Sequence, residues 1–143
     1  MSVEVVVYSE THRHVGTLDL IGDVLLPDMP EYEHIPRDED GYSRGLFDWK
    51  TSGRGEYEAR EYQRWAIQPT VYTKAVYEAT GVNPPFKYVV MHEDGLQEFT
   101  CIRNEQDWSW LGEQCEGLAQ MIEHNLPVWP KNDQHWLCAK KWC

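Results

Sequence analysis

Three short segments rich in β-branched and aromatic residues precede the first long helical pattern in this chain. They are residues 3–9 (VEVVVYS), 14–26 (HVGTLDLIGDVLL) and 44–50 (RGLFDWK). Such segments fit a pleated, half-buried surface, so a sheet has to form early in the chain. Gly16 inside the second segment signals a bulge or a close backbone approach. Between the second and third segments, 27–43 (PDMPEYEHIPRDEDGYS) is dense in Pro and acids and reads as a long polar loop. After the third, the loop TSGRGE leads to a helical pattern starting near Glu56. Its apolar positions Tyr62, Trp65, Ala66, Tyr72, Ala75, Val76 and Ala79 follow a helical period. Pro69 should kink or divide that helix, and Gly81 should end it.

Two more strands, 86–92 (FKYVVMH) and 96–103 (LQEFTCIR), flank EDG, a hairpin signal. An amphipathic helix is expected over 105–125, followed by an irregular Pro- and Trp-containing tail over 126–143. The order β-β-β-α-β-β-α predicts an α/β (α+β) fold, a mixed central sheet of about five strands flanked by helices. A length of 143 residues suits one domain, 1–143. No apolar run approaches the roughly 20 residues that span a bilayer. The N-terminus lacks the basic and apolar regions of a signal peptide, so a cytoplasmic location with no membrane partner is expected.

The formal net charge of −11 disfavours generic nucleic-acid binding, which depends on Lys and Arg at phosphates. The charge is uneven, however. Acids cluster between Asp28 and Asp40, whereas Lys50, Arg54, Arg60 and Arg64 fall within fifteen residues of one another. A local basic groove is compatible with this pattern.

Within the third strand, Asp48 and Lys50 share one face and Trp49 takes the other. An isolated pair of this kind is usually a surface ion pair of little worth. A second acid, Asp19 in GTLD, lies on the preceding strand. If those strands pair, Asp19 and Asp48 can meet beside Lys50. Two adjacent carboxylates repel unless a cation sits between them. Oxygen-only ligation suits Mg²⁺ or Mn²⁺, with the Trp49 carbonyl as a further ligand. Such a metal polarises a phosphoryl oxygen and activates water, and Lys50 could orient that water or stabilise charge. On the following helix, Gln68 and Tyr72 lie four residues apart on one face.

The sequence of Gly16-x-x-Asp19, Asp48-x-Lys50-Thr51 and Gln68-x-x-x-Tyr72 resembles the RecB-like branch of the PD-(D/E)XK nuclease superfamily. That branch includes RecB and AddB nuclease domains, CRISPR-associated RecB-like exonucleases and phage recombination exonucleases. The resemblance spans roughly residues 3–125 and implies a restriction-endonuclease-like core. It implies a metal-dependent DNA nuclease, an exonuclease in recombination, repair or phage DNA metabolism. Asp19 and Asp48 would be metal ligands and Lys50 the catalytic base or stabiliser. Gln68 and Tyr72 would line the site and contact DNA, with Arg54 and Arg64 as further substrate contacts.

Family members usually carry a helix before the first strand, with an acid directed at the metal. Here two residues precede that strand. The resemblance therefore raises the expectation of a homo-oligomer or protein partner that supplies the helix. The alternative is a catalytically weak or inactive nuclease-fold protein that acts by binding a partner. Many RecB-like nucleases also hold an iron–sulfur cluster through four Cys, one of them upstream of the core. Cys138 and Cys143 have ligand-like spacing, but no Cys precedes Asp19. The four cysteines, Cys101 and Cys115 included, are read as ordinary thiols rather than a disulfide framework.

Overall fold

A computed structural model of the chain describes residues 2–11, 13–51 and 67–125. Among them, five strands form one sheet in sequence order: β1 (Ser2–Ser9), β2 (His14–Leu25), β3 (Tyr42–Thr51), β4 (Phe86–His92) and β5 (Gly95–Cys101). Only the β3–β4 pairing is parallel, and the other three are antiparallel. With α1 (Ile67–Thr80) and α2 (Glu105–Glu123), the described chain is an α+β fold with a mixed sheet, in the order the sequence predicts. The expected helical start near Glu56 lies outside the described residues. Pro69 is buried in the first described turn of α1, which continues unbroken to Thr80; the stretch from Glu56 that Pro69 is expected to kink or divide from it lies outside the described residues. Gly81, at φ +73°, donates its N–H to the Tyr77 carbonyl and ends α1 in the left-handed conformation that glycine tolerates.

Parallel strands cannot be joined by a tight hairpin, so β3 and β4 need a crossover. α1 lies in that crossover and packs against β1 and β2. Beneath it, Val7, Leu18, Leu46, Phe86 and Tyr88 form the main core with Ala75, flanked by Val5, Ile21, Tyr72 and Val76. α2 covers α1 rather than the sheet. Its buried Trp108 stacks on Tyr77, with ring centroids 4.7 Å apart, and the indole N–H donates to Thr73 Oγ1 at 3.2 Å. The start of α2 is fixed by Asn104, whose side chain accepts from the Gln106 and Asp107 N–H groups while Asp107 reciprocates.

The opposite sheet face carries a second, smaller core of Val24, Leu26, Tyr32 and Ile35, joined by Phe47 and Ile102. The segment expected to be a plain polar loop therefore contributes two side chains, Tyr32 and Ile35, to this core. A 3-10 turn at Pro30–Tyr32 brings Tyr32 inward.

The simple alternation of faces fails at one place in β2. Leu18 and Ile21 both pack into the main core although they are three residues apart. On β1, Val3 pairs with Leu20 and Val5 with Leu18, so Glu4 falls opposite Asp19. Glu4 has φ +52°, a conformation that a non-glycine residue adopts at a steric cost. Both strands thus reset their faces at the rung that carries Asp19.

Gly45 sits where a Cβ would overlap Val24 Cγ2 and lie 3.0 Å from the Pro85 carbonyl oxygen. Pro85 O also accepts the Leu46 N–H at 2.9 Å, so it cannot retreat freely. Gly45→Ala should destabilise the fold by about 1–3 kcal/mol through overpacking. Urea denaturation of the variant against wild type checks this.

Candidate active site

β3 carries Leu46, Asp48 and Lys50 on the face beneath α1, and Leu46 anchors that face in the core. Asp48 is only 4% exposed, yet it is a carboxylate. Burial pushes its pKa up, and the nearby charge of Asp19 pushes the same way, while Lys50 and Gln68 oppose the rise. Lys50 Nζ lies 2.5 Å from Asp48 Oδ2. Gln68, in the first described turn of α1, donates from Nε2 to Asp48 Oδ1 at 2.6 Å and accepts at Oε1 from Lys50 Nζ at 2.9 Å. Nε2 also donates to the Tyr72 hydroxyl at 3.4 Å.

Asp19 arrives from β2. The β2–β3 ladder runs from Leu25↔Tyr42 to Leu20↔Phe47 and goes no further. At the next step the Trp49 N–H donates to Asp19 Oδ2 at 2.8 Å, so a carboxylate takes over where the backbone ladder stops. The face reset at Asp19 and the end of the ladder coincide, which turns the carboxylate toward β3.

Gly16 explains the spacing of the GTLD segment. A Cβ at this position would overlap Tyr72 Cε1, so the bare backbone makes room for the Tyr72 ring. That ring also stacks on Phe86, with centroids 6.2 Å apart. The expected close approach at Gly16 is therefore to a helix side chain.

The structure brings together Asp19, Asp48, Lys50, Gln68 and Tyr72. Arg54 and Arg64 lie outside the described residues, as do Cys138 and Cys143. Cys101 is buried in the main core, its thiol pushed up to about 11 by burial, and Cys115 is a half-buried thiol on α2. Among the described residues, no group of three or more His, Cys, Asp or Glu is clustered as a metal site. Sequence reasoning missed Tyr88. It pairs with Asp48 in the β3–β4 ladder and places its ring 5.9 Å from Lys50 Nζ. Only the parallel register reveals this neighbour.

The residues present fit a hard divalent cation such as Mg²⁺ or Mn²⁺. Asp48 Oδ2 is buried and, despite the contact with Lys50, has no aligned hydrogen bond. Asp19, held by the Trp49 N–H, is near enough for its charge to act on Asp48, and paired carboxylates are the oxygen donors these ions take.

No family model matches the sequence, and no curated protein matches it either. Among solved structures, the chain is similar to a "putative exonuclease" from Eubacterium rectale. The two are 14% identical, with a TM-score of 0.49, over 96% of this chain and 50% of that one. The chain thus spans about half the length of that protein.

Because burial raises the Asp48 pKa, the folded state holds this proton more tightly than the unfolded chain does. Its contribution to stability is complete below the ordinary carboxylate range and is lost as pH rises through the raised folded value. Without divalent metal, Asp48→Asn should therefore gain stability relative to wild type as pH increases through that window. Thermal denaturation of both proteins in a chelator, across mildly acidic to neutral pH, reads the difference. A constant offset would contradict it.

Proposed function

We propose that this chain is a metal-dependent nuclease acting on DNA, of the RecB-like PD-(D/E)XK kind. What supports the reading is one observation: Asp48, Lys50 and Gln68 bond to one another around the buried Asp48 carboxylate, and the Trp49 N–H holds a second acid, Asp19, beside them. Burying a carboxylate is costly, and an ordinary surface ion pair gives no reason to do so.

In this reading Asp19, Asp48 and the Trp49 carbonyl hold Mg²⁺ or Mn²⁺. When bound, the ion polarises a phosphoryl oxygen of the scissile diester and acidifies water. Asp48 keeps its carboxylate on the metal side and fixes the Lys50 ammonium. Lys50, about a quarter exposed at its side chain, reaches the surface from the Asp48 face and can donate at Nζ to a phosphate oxygen or orient the attacking water. The Trp49 N–H keeps Asp19 turned toward the same point. Arg54 and Arg64 are proposed to meet the phosphate backbone of DNA. The setting is DNA recombination, repair or phage DNA metabolism, as an exonuclease.

The second reading is a nuclease-fold protein with weak or no catalysis that binds a protein partner or a second copy. One observation favours it. Val6, Tyr8 and Val15 are each more than half exposed on β1 and β2, and Tyr8 pairs directly with Val15. Val5 and Val7 alternate with them and pack in the core under α1, so this apolar patch faces the other side of the sheet.

Incubation with single- and double-stranded DNA of varied ends, with Mg²⁺ or Mn²⁺, separates the two readings. Lys50→Ala should lower cleavage by about two orders of magnitude or more, as loss of a positioned proton or charge donor does. Its Mn²⁺ affinity by calorimetry should persist, whereas Asp48→Ala should lose it. Equal Mn²⁺ affinity in wild type and Asp48→Ala overturns the metal assignment. Wild type that cuts no DNA leaves the binding-protein reading.

A further inference from the structure

We infer that Gln68 is a positioning residue that holds the Lys50 ammonium against Asp48, rather than a contact to DNA. This deepens the nuclease reading and rests on it. The orientation of the Gln68 amide follows from chemistry. Lys50 can only donate, and an ionised Asp48 can only accept. The amide oxygen must face Nζ and the nitrogen must face the carboxylate, since the flipped amide would set donor against donor and acceptor against acceptor. The observed bonds obey this, at 2.9 Å and 2.6 Å.

The amide has little left for a substrate. Its two N–H donors go to Asp48 Oδ1 and, more weakly, to the Tyr72 hydroxyl at 3.4 Å. Its oxygen already accepts from Lys50. Asp48, Gln68 and Lys50 close a ring of three contacts, because Nζ also meets Asp48 Oδ2. A lysine head on a four-carbon stem has many rotamers. The ring selects one, with the ammonium 5.9 Å from the Tyr88 ring centroid. Gln68 itself is held from behind: Tyr72 is fixed by its stack on Phe86 and by the bare backbone of Gly16. The ring leaves room for a cation, since a carboxylate offers about four acceptor positions and Gln68 and Lys50 take one each.

A residue that works through Lys50 has a signature that a DNA contact lacks. Gln68→Met, which keeps length and removes the polar head, should lower kcat about tenfold or more and leave KM for DNA within about twofold. Placed on Lys50→Ala, it should cause no further loss, because the interacting pair is already broken. A raised KM with kcat retained, or losses that multiply in the double variant, would overturn the assignment. A second measurement needs no catalysis. In proton–nitrogen correlation spectra of the wild-type protein, the Lys50 ammonium should be protected from solvent exchange and visible, and Gln68→Met should abolish the signal. An absent wild-type signal, or one unchanged in the variant, also overturns the assignment. If wild type cuts no DNA, the nuclease reading falls, and the spectra alone decide whether Gln68 holds Lys50.

Discussion

The parallel pairing of β3 with β4 is the constraint on which the rest depends. Every other neighbouring pair in the sheet is antiparallel and can follow its predecessor by turning back. Parallel strands require the chain to leave the far end of β3 and return to the near end of β4. α1 lies on the return leg, and its first described turn sits against the end of β3. Asp48 and Lys50 lie near the end of β3, and Gln68 lies at the beginning of the described helix. One topological necessity thus sets an amide from a helix above an acid and a base from a strand.

The cluster that results is electrostatically incomplete in a specific way. Asp48 is buried, feels a second carboxylate, and is offset by one lysine and one amide. Hydrogen bonds to charged groups are stronger than neutral ones, but they do not restore all the hydration lost by a carboxylate. A region of this sort is stable only because the remainder of the face is well packed: Leu18, Leu46, Phe86 and Tyr88 surround it and are essentially inaccessible. Apolar packing around the cluster supplies the rigidity, and the polar groups supply the chemistry.

Much of this geometry is legible in the sequence, and the reasons differ by residue. The shared face of Asp48 and Lys50 follows from strand alternation alone, and the element order follows from where β-branched runs give way to helical spacing. Gln68 and Tyr72 share a helical face for the same kind of local reason. Asp19 was harder. Its strand breaks alternation between Leu18 and Ile21, and the partner of that break is Glu4 at positive φ, a residue whose chemistry gives no hint of a left-handed backbone. Tyr32 and Ile35 were hidden among prolines and acids, because a loop's burial depends on what it packs against. Tyr88 became a neighbour of Lys50 only through the β3–β4 register, which is a long-range property.

The hydrogen bond between the Trp108 indole and Thr73 reaches beyond stability. Thr73 also donates to the Pro69 carbonyl at 2.7 Å, one residue beyond Gln68. The outermost helix is thereby fastened to the turn that carries the amide of the cluster. Trp108 braces α1 at Thr73 and Tyr77, and Thr73 in turn holds the Pro69 carbonyl next to Gln68. The seating of α2 is therefore part of what fixes the amide over Asp48, although no residue of α2 belongs to the cluster.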